Sequence, residues 1–292
     1  MSTQPNRTKT FEIREALKGA ETVLSATSPS AHADAEVLLA HILRTDRSFL
    51  LAHREAVLTN ERWQRFQSLV ERRARGVPVA YLVGSAWFCG RQFVVDEHVL
   101  VPRPETEHLA QAAIEHLARY EKAVALDVGT GCGAIACTLA AELPQCRVYA
   151  TERSPAALQV AKENIEGHRA VHVELADLLP DDRSLRFDAV IANLPYIPTA
   201  DLPKSPDPAS FEPREALDGG PDGLREYRRL LEILPERVND GGIVLLEAAP
   251  PTIGALRTLA AGAFAQARTE IGYDYAGLAR YVRVLGMTRR VG

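Results

Sequence analysis

Asn193-Leu194-Pro195-Tyr196 follows the apolar run 187–192, whose composition and length read as a buried strand. Asn193 brings a side-chain carbonyl to the strand end, and Leu194 precedes a proline, which biases its backbone toward an extended conformation. In such a turn the Asn193 side-chain oxygen and the Leu194 main-chain carbonyl can together accept both hydrogens of one planar NH2 group. An amide nitrogen is a poor nucleophile. Double acceptance fixes it in place and favours the positive charge that develops on it as a carbon electrophile approaches. Tyr196 is expected to stack on the flat amide. Asn193 and Tyr196 are therefore the candidate catalytic residues, and Asn193, Leu194, Pro195 and Tyr196 the candidate substrate-binding set.

A second loaded strand end lies upstream, where the run 123–128 passes into Gly129-Thr130-Gly131-Cys132-Gly133. A glycine turn lets a ligand approach the backbone closely, and the helix that follows offers its unpaired N–H groups. The spacing Gly129-x-Gly131-x-x-Ala134 also satisfies the relaxed dinucleotide fingerprint, so a nucleotide- or NAD-binding protein is a competing reading. Glu152 ends the next strand, where a carboxylate can accept both ribose hydroxyls. Asp177, after the third strand, is placed to accept from an adenine amino group, with Leu178 offering an apolar edge to the ring. These residues specify a nucleoside and not a chemistry.

The elements that must position the two sites alternate from residue 123 onward. Strands are predicted at 123–128, 147–151, 170–174, 187–192 and 242–247, and helices near 133–143, 155–166, 224–238 and 252–263. This pattern implies an α/β fold with a doubly wound parallel sheet. A last pair, about 267–272 and 279–285, reads as an antiparallel edge hairpin. Residues 11–80 carry helical signals only. Ile13, Leu17, Ala20 and Leu24 repeat at helix spacing, Val37, Leu38, Ile42 and Leu43 form a second stripe, and Trp63, Phe66, Leu69 and Val70 a third. The third helix is expected to end in Arg72, Arg73 and Arg75 before Gly76, either as a solvated helix end or in contact with an acidic partner. Two short strands about Gly90 suggest a hairpin between domains, and Pro104 suits the first turn of the next helix. The expected division is a small helical bundle over 1–83, a hairpin linker over 84–104 and the α/β domain over 105–292. The proline-rich, aperiodic stretch 197–223 reads as a substrate-facing loop.

At 292 residues and 46% hydrophobic content the chain can bury more than one core. Its net charge of −4 provides no broad basic field for nucleic acid. Cys89, Cys132, Cys137 and Cys146 lack disulfide or zinc spacing, and the eight histidines are scattered, so no metal is expected. The first ten residues have no signal-peptide core, and no run approaches the roughly 20 apolar residues of a membrane helix. A cytoplasmic monomer without membrane association is expected.

Taken together, the motifs resemble the peptide chain release factor glutamine N5-methyltransferases among the class I methyltransferases. The resemblance spans nearly the whole chain. It rests on Arg73-x-x-Gly76-x-Pro78-x-x-Tyr81-x-x-Gly84, on Val101-Pro102-Arg103-Pro104-Glu105-Thr106-Glu107, and on Asp127-x-Gly129-Thr130-Gly131-x-Gly133. It extends to Asn193–Tyr196 and to Phe211-Glu212-Pro213-Arg214-x-Ala216-Leu217-x-Gly219-Gly220-x-Asp222-Gly223. It implies a Rossmann-like methyltransferase sheet and methyl transfer from S-adenosyl-L-methionine to the glutamine of a Gly-Gly-Gln motif. The partner would be a class 1 release factor held by the helical domain. It also extends the cofactor set to Asp127, Gly129, Thr130, Gly131, Cys132, Gly133, Glu152, Asp177, Leu178 and Asn193. An adenine amino methyltransferase acting on nucleic acid would share the two acceptors, but the charge speaks against it. The sequence departs from the family at Leu194, where proline is usual, and at Glu152, where aspartate is commoner. Since any residue supplies the carbonyl, Leu194→Pro is expected to retain activity or raise it.

Overall fold

The computed structural model describes residues 11–287; the first ten residues, in which no signal peptide was read, and the last five lie outside that range. The chain divides into two compact units. One runs to Gly84 and also takes in Pro203–Phe211, and the other comprises Ser85–Leu202 and the remainder from Glu212.

In the first unit the elements are β1 (Phe11–Glu12), α1 (Ile13–Leu24), α2 (Ala31–Leu43), α3 (Arg47–Ala52), β2 (Val57–Leu58), α4 (Asn60–Ala74) and α5 (Val79–Val83). Of the three helical stripes read from the sequence, the first and third pack inward through Ile13, Leu17, Ala20, Leu24, Phe66 and Val70, whereas the second buries only Leu38, with Ile42 and Leu43 partly buried and the unread Leu39 beside it in the same cluster. Thr59 caps α4 by accepting from the Arg62 N–H. The expectation of helices alone misses β1 and β2, which pair antiparallel through Phe11↔Leu58 and Glu12↔Val57. Two-residue strands carry no periodicity to read.

Arg73 is not solvated: it is buried. Its guanidinium donates to Asp34 of α2 at 2.7 Å and to the Val77 carbonyl at 3.4 Å. Asp34 also accepts from the hydroxyls of Ser28 and Ser30, at 2.7 and 2.9 Å. These partners compensate a charge that burial would otherwise penalise. Gly76, at φ +104, stops the chain beyond α4, and a Cβ there would lie 2.5 Å from the Pro206 carbonyl oxygen. That contact fastens Pro203–Phe211 of the proline-rich stretch to the helical unit.

The second unit contains β3 (Ser85–Phe88), β4 (Arg91–Val94), α6 (Pro104–Leu117), β5 (Ala123–Val128), α7 (Ala134–Glu142), β6 (Cys146–Glu152), α8 (Pro155–Ile165), β7 (Val171–Leu175) and β8 (Phe187–Ala192). It continues with α9 (Arg214–Leu217), α10 (Arg225–Ile233), β9 (Val238–Glu247), α11 (Pro250–Ala263), β10 (Arg268–Tyr273) and β11 (Ala279–Leu285). The hairpin β3–β4, expected as a linker, falls inside this unit. Asn164 of α8 holds it by donating to the Val94 carbonyl and accepting from the Val94 N–H, at 2.9 and 2.8 Å. α6 starts at Pro104, where no intrahelical donor is missed. α10 ends five residues before the predicted helix end, because Pro235 cannot continue the hydrogen-bond ladder.

Seven strands form one sheet in the order β10-β11-β9-β8-β5-β6-β7, with β5 to β9 mutually parallel and β11 antiparallel to both neighbours. Helices α6, α7 and α8 contact one another in succession, α10 and α11 contact each other, and both groups pack on the sheet. This is the doubly wound arrangement. The chain leaves β5 toward β6 on one side and returns to β8 on the other, which makes the β5/β8 boundary the topological switch point where such sheets bind ligands. Among the described residues, no helix is long and apolar enough to cross a membrane.

Removing one partner of the Asp34–Arg73 pair strands a buried charge, which costs about 3–5 kcal/mol. Amide hydrogen exchange in α2 and α4 of Arg73→Ala is therefore expected to accelerate by at least about 10²-fold. The double change Asp34→Leu with Arg73→Met is expected to recover most of that protection; equal losses in the single and double variants would show that the pair is not the cause.

Candidate active site

The turn after β5 is closed by Asp127, whose side chain points back under it. Asp127 Oδ2 accepts from the Thr130 hydroxyl at 2.6 Å and from the Ala136 N–H at 3.1 Å. Burial pushes this carboxyl up to about 7, against the lowering effect of those two bonds. The turn needs left-handed backbone at Gly129 (φ +69) and Gly131 (φ +57). At Gly129 a Cβ would lie 2.9 Å from Leu194 Cδ2, whereas at Gly131 it would meet nothing within 4 Å. The first glycine therefore allows close packing of the two loaded turns, and the second leaves the backbone open to a ligand.

One pocket in the second unit is bordered by both turns. Its wall includes Asp127, Gly129, Thr130, Gly131, Cys132, Glu152, Asp177, Leu178, Asn193, Leu194 and Pro195. Gly133 instead caps α7, and Tyr196 is also outside the wall. Cys132 remains a thiol, since burial pushes it up to about 12. Glu152 is buried, and its two oxygens accept from the N–H groups of Gly131 at 3.0 Å and Ser154 at 2.9 Å. Burial raises this carboxyl despite those bonds. Asp177 borders the pocket, yet its carboxylate pairs with Arg229 of α10. Leu178 has φ +71, a strained backbone for a side chain of this kind, and the Thr151 hydroxyl pins its carbonyl at 2.7 Å.

At the end of β8, Asn193 Nδ2 donates to the Thr106 hydroxyl of α6 at 3.1 Å. That bond turns the side-chain oxygen of Asn193 away from Thr106. Tyr196, expected to stack on an amide, packs its ring against the core and directs its hydroxyl to Glu247 Oε1 at 3.4 Å. The segment Gly219–Gly223 lies on the backbone of this turn: a Cβ at Gly223 would come within 2.3 Å of the Tyr196 carbonyl oxygen. Arg103 donates to both oxygens of Glu212 at 2.7 and 2.8 Å, so two of the sequence motifs are joined by a single ion pair. Pro213, Glu215 and Ala216 bring parts of the proline-rich stretch to the pocket wall, while its middle belongs to the helical unit.

Residues 15–84 match the PrmC N-terminal domain family, and residues 106–202 match the methyltransferase small domain family. A protein of Moorella thermoacetica named release factor glutamine methyltransferase is 44% identical over 247 residues, covering 84% of this chain and 87% of its own length. A protein of the same name from Bacillus anthracis is 36% identical over 279 residues, covering 93% of this chain and 98% of its own. The chain belongs to the release factor glutamine methyltransferase family. The family suggested by the sequence motifs is therefore the one found.

Within this family's tetrapeptide, Leu194 brings an N–H that proline would lack. The structure shows where it goes: Leu194 is buried, and its N–H donates to the Tyr227 hydroxyl at 3.1 Å. That hydroxyl in turn donates to the Glu247 main-chain carbonyl. Tyr227 is fully buried, and burial raises its phenol well above the ordinary range, so it stays protonated. Proline at this position would remove a donor already in use. Sequence reasoning assigned no role to Thr106, Tyr227 or Glu247. Glu247 carries one usable signal, an acid closing an apolar strand, as Glu152 does; Tyr227 carries none.

Tyr227→Phe leaves the Leu194 N–H buried without an acceptor, which costs about 1–3 kcal/mol. In a Leu194→Pro background that donor no longer exists, so the same change is expected to cost less. Urea unfolding of the four proteins should give a coupling energy of about 1–2 kcal/mol; strictly additive losses would remove Tyr227 from the account of Leu194.

Proposed function

We propose that this protein transfers a methyl group from S-adenosylmethionine to the side-chain amide nitrogen of the glutamine in the Gly-Gly-Gln motif of class 1 release factors. The observation that carries the reading is that the Asn193 turn and the open Gly131 turn border one pocket in a chain of this family. An adenine amino group presents the same two hydrogens, and family membership decides between the two substrates.

The pocket wall suits S-adenosylmethionine. Each Glu152 oxygen accepts one backbone N–H and keeps a further lone-pair direction for a ribose hydroxyl. Leu178 supports the assignment of an apolar edge to the adenine ring, and the Gly131 backbone leaves room beside it. Asp127 acts through the turn, holding Thr130 and Ala136 in place. The cofactor, when bound, supplies a methyl carbon activated by its sulfonium.

In the transfer, the glutamine nitrogen forms a bond to the methyl carbon as the carbon–sulfur bond breaks, leaving S-adenosylhomocysteine. Asn193 Oδ1 and the Leu194 carbonyl accept the two amide hydrogens, which orients the nitrogen lone pair and stabilises the positive charge growing there. Neither is a strong base, so the proton departs to solvent after the methyl arrives. The helical unit is assigned to the release factor.

Mass spectrometry of a purified release factor incubated with the protein and S-adenosylmethionine is expected to locate one added methyl on the Gly-Gly-Gln glutamine; a methyl elsewhere, or none, would overturn the reading. Asn193→Ala should lower kcat by about 10²–10³-fold, the usual effect of losing one preorganised transition-state hydrogen bond, with cofactor affinity retained. Glu152→Ala should show the opposite split. Its Kd for S-adenosylmethionine is expected to rise by about 10–100-fold, as for loss of a charged hydrogen bond, and transfer should partly recover at high cofactor. Unchanged affinity by calorimetry would reject the ribose assignment.

A further inference from the structure

Behind the Asn193 turn, away from the pocket, lies a buried carboxylate to which the transfer step assigns no role. Glu247 closes β9 at 2% exposure, with its Oε1 facing the Tyr196 hydroxyl at 3.4 Å and its Oε2 without a hydrogen-bond partner. The Thr106 hydroxyl faces the carboxylate from α6 and favours its ionised form. Thr106 is itself buried and is the acceptor for Asn193 Nδ2. The remaining groups around Glu247 are Glu105 of α6, Arg280 of β11 and the Tyr227 phenol of α10. Arg280 is shared with Asp274 at 2.8 Å and Glu105 at 3.4 Å, so Glu247 has no dedicated counter-ion.

A side-chain amide can present either its oxygen or its NH2, and the two orientations differ by a half-turn. The transfer step needs the oxygen toward the substrate, because an NH2 facing an NH2 brings donors against donors. A hydroxyl has a single hydrogen. An ionised carboxylate can only accept, so it draws that hydrogen and leaves the Thr106 lone pairs for the Asn193 NH2. We propose that Glu247 and Thr106 form a relay of hydrogen-bond polarity that holds the Asn193 side chain with its oxygen toward the substrate glutamine. This rests on the methyl-transfer reading above and names two positioning residues for it.

The relay is proton-sensitive. Burial pushes the Glu247 carboxyl up to about 7, with Glu105 adding to the rise and Thr106, Tyr196 and Arg280 opposing it. A protonated Glu247 can donate to Thr106, which frees the hydroxyl hydrogen for the Asn193 oxygen and reverses the amide. Transfer is therefore favoured above about pH 7 and falls as pH drops through that value. Asp127 titrates in the same range. For this reason the difference between wild type and Glu247→Gln, and not the wild-type profile alone, assigns the limb.

The test uses the full chain with a purified release factor. Thr106→Val, which keeps shape and removes the hydroxyl, should lower kcat by about 10²-fold, as a small misplacement of a reactant does, with the Kd for S-adenosylmethionine unchanged; Thr106→Ser should restore the rate. Glu247→Gln should lose the acid limb near about pH 7. Independently of turnover, the Asn193 side-chain NH2 resonance, assigned by its loss in Asn193→Ala, should titrate in wild type and stay flat in Glu247→Gln. Undiminished kcat in Thr106→Val, or an Asn193 resonance that does not move with pH, overturns the relay and leaves methyl transfer standing. If wild type transfers no methyl, the functional reading falls, and the resonance titration still decides whether the relay exists.

Discussion

Parallel pairing of β5 with both β6 and β8 is the constraint on which the site depends. The last paired residues are Val128↔Thr151 on one side and Val128↔Ala192 on the other. One step further along each strand come Gly129, Glu152 and Asn193, so register alone delivers the glycine turn, the Glu152 carboxylate and the Asn193 turn to one sheet edge. A slip of one residue would reverse every side chain on a strand. The sheet resists it because β5 and β8 are buried except at the half-buried Val124 and Asp188, with Leu126, Val128, Val190 and Ala192 in the same core. The precision of the site is thus inherited from packing that is itself apolar and has no chemistry.

Three acids stand at these strand ends, and burial pushes each upward: Asp127 and Glu247 to about 7, and Glu152 in the same direction. A carboxyl raised on folding favours the native state most when protonated, so each acid costs stability as pH rises through its folded value. Among the described residues the fold accepts that cost at these strand ends. Such concentration of raised carboxyls is what a site requires, since a charge kept out of water acts more strongly on a nearby reacting group. The hydrogen bonds from Thr130, Ala136, Gly131 and Ser154 limit the cost without cancelling it.

The sheet strands and their loaded ends were legible in the sequence because each is a local signal: an apolar run closed by a polar residue or a glycine turn. Residues 123–128, 187–192 and 279–285 agree with the observed strands at both ends. What escaped was non-local. The Asp34–Arg73 pair joins helices separated by 39 positions, and a run of three arginines before a glycine looks the same whether its middle member is solvated or buried. Tyr227 meets Leu194 across 33 positions and sits in a helix whose apolar stripe accounts for it fully. Tyr196 had its hydroxyl contact hidden for a related reason. Its type permits stacking on a ligand, but only the position of Glu247 reveals that its hydroxyl has an internal partner.

Leu194 shows how a motif can change while its working atom stays in place. The chemistry asks for a carbonyl at this position, and every residue has one; what proline adds is restriction of the chain and the absence of an N–H. Here the restriction comes from other sources. Pro195 limits the conformation of Leu194 from one side, the backbone packs under Gly223, and the leucine side chain fills the space over Gly129. The extra N–H would be a buried orphan worth more than the lost restriction, were it not for the Tyr227 hydroxyl. A single phenol therefore does two things at once, accepting from the Asn193 turn and donating to the carbonyl of the residue whose side chain faces Thr106. The Asn193 turn and the acid behind it are bound to the same atom, so the strand ends of β8 and β9 are fixed relative to each other by Tyr227 as well as by the sheet ladder between them.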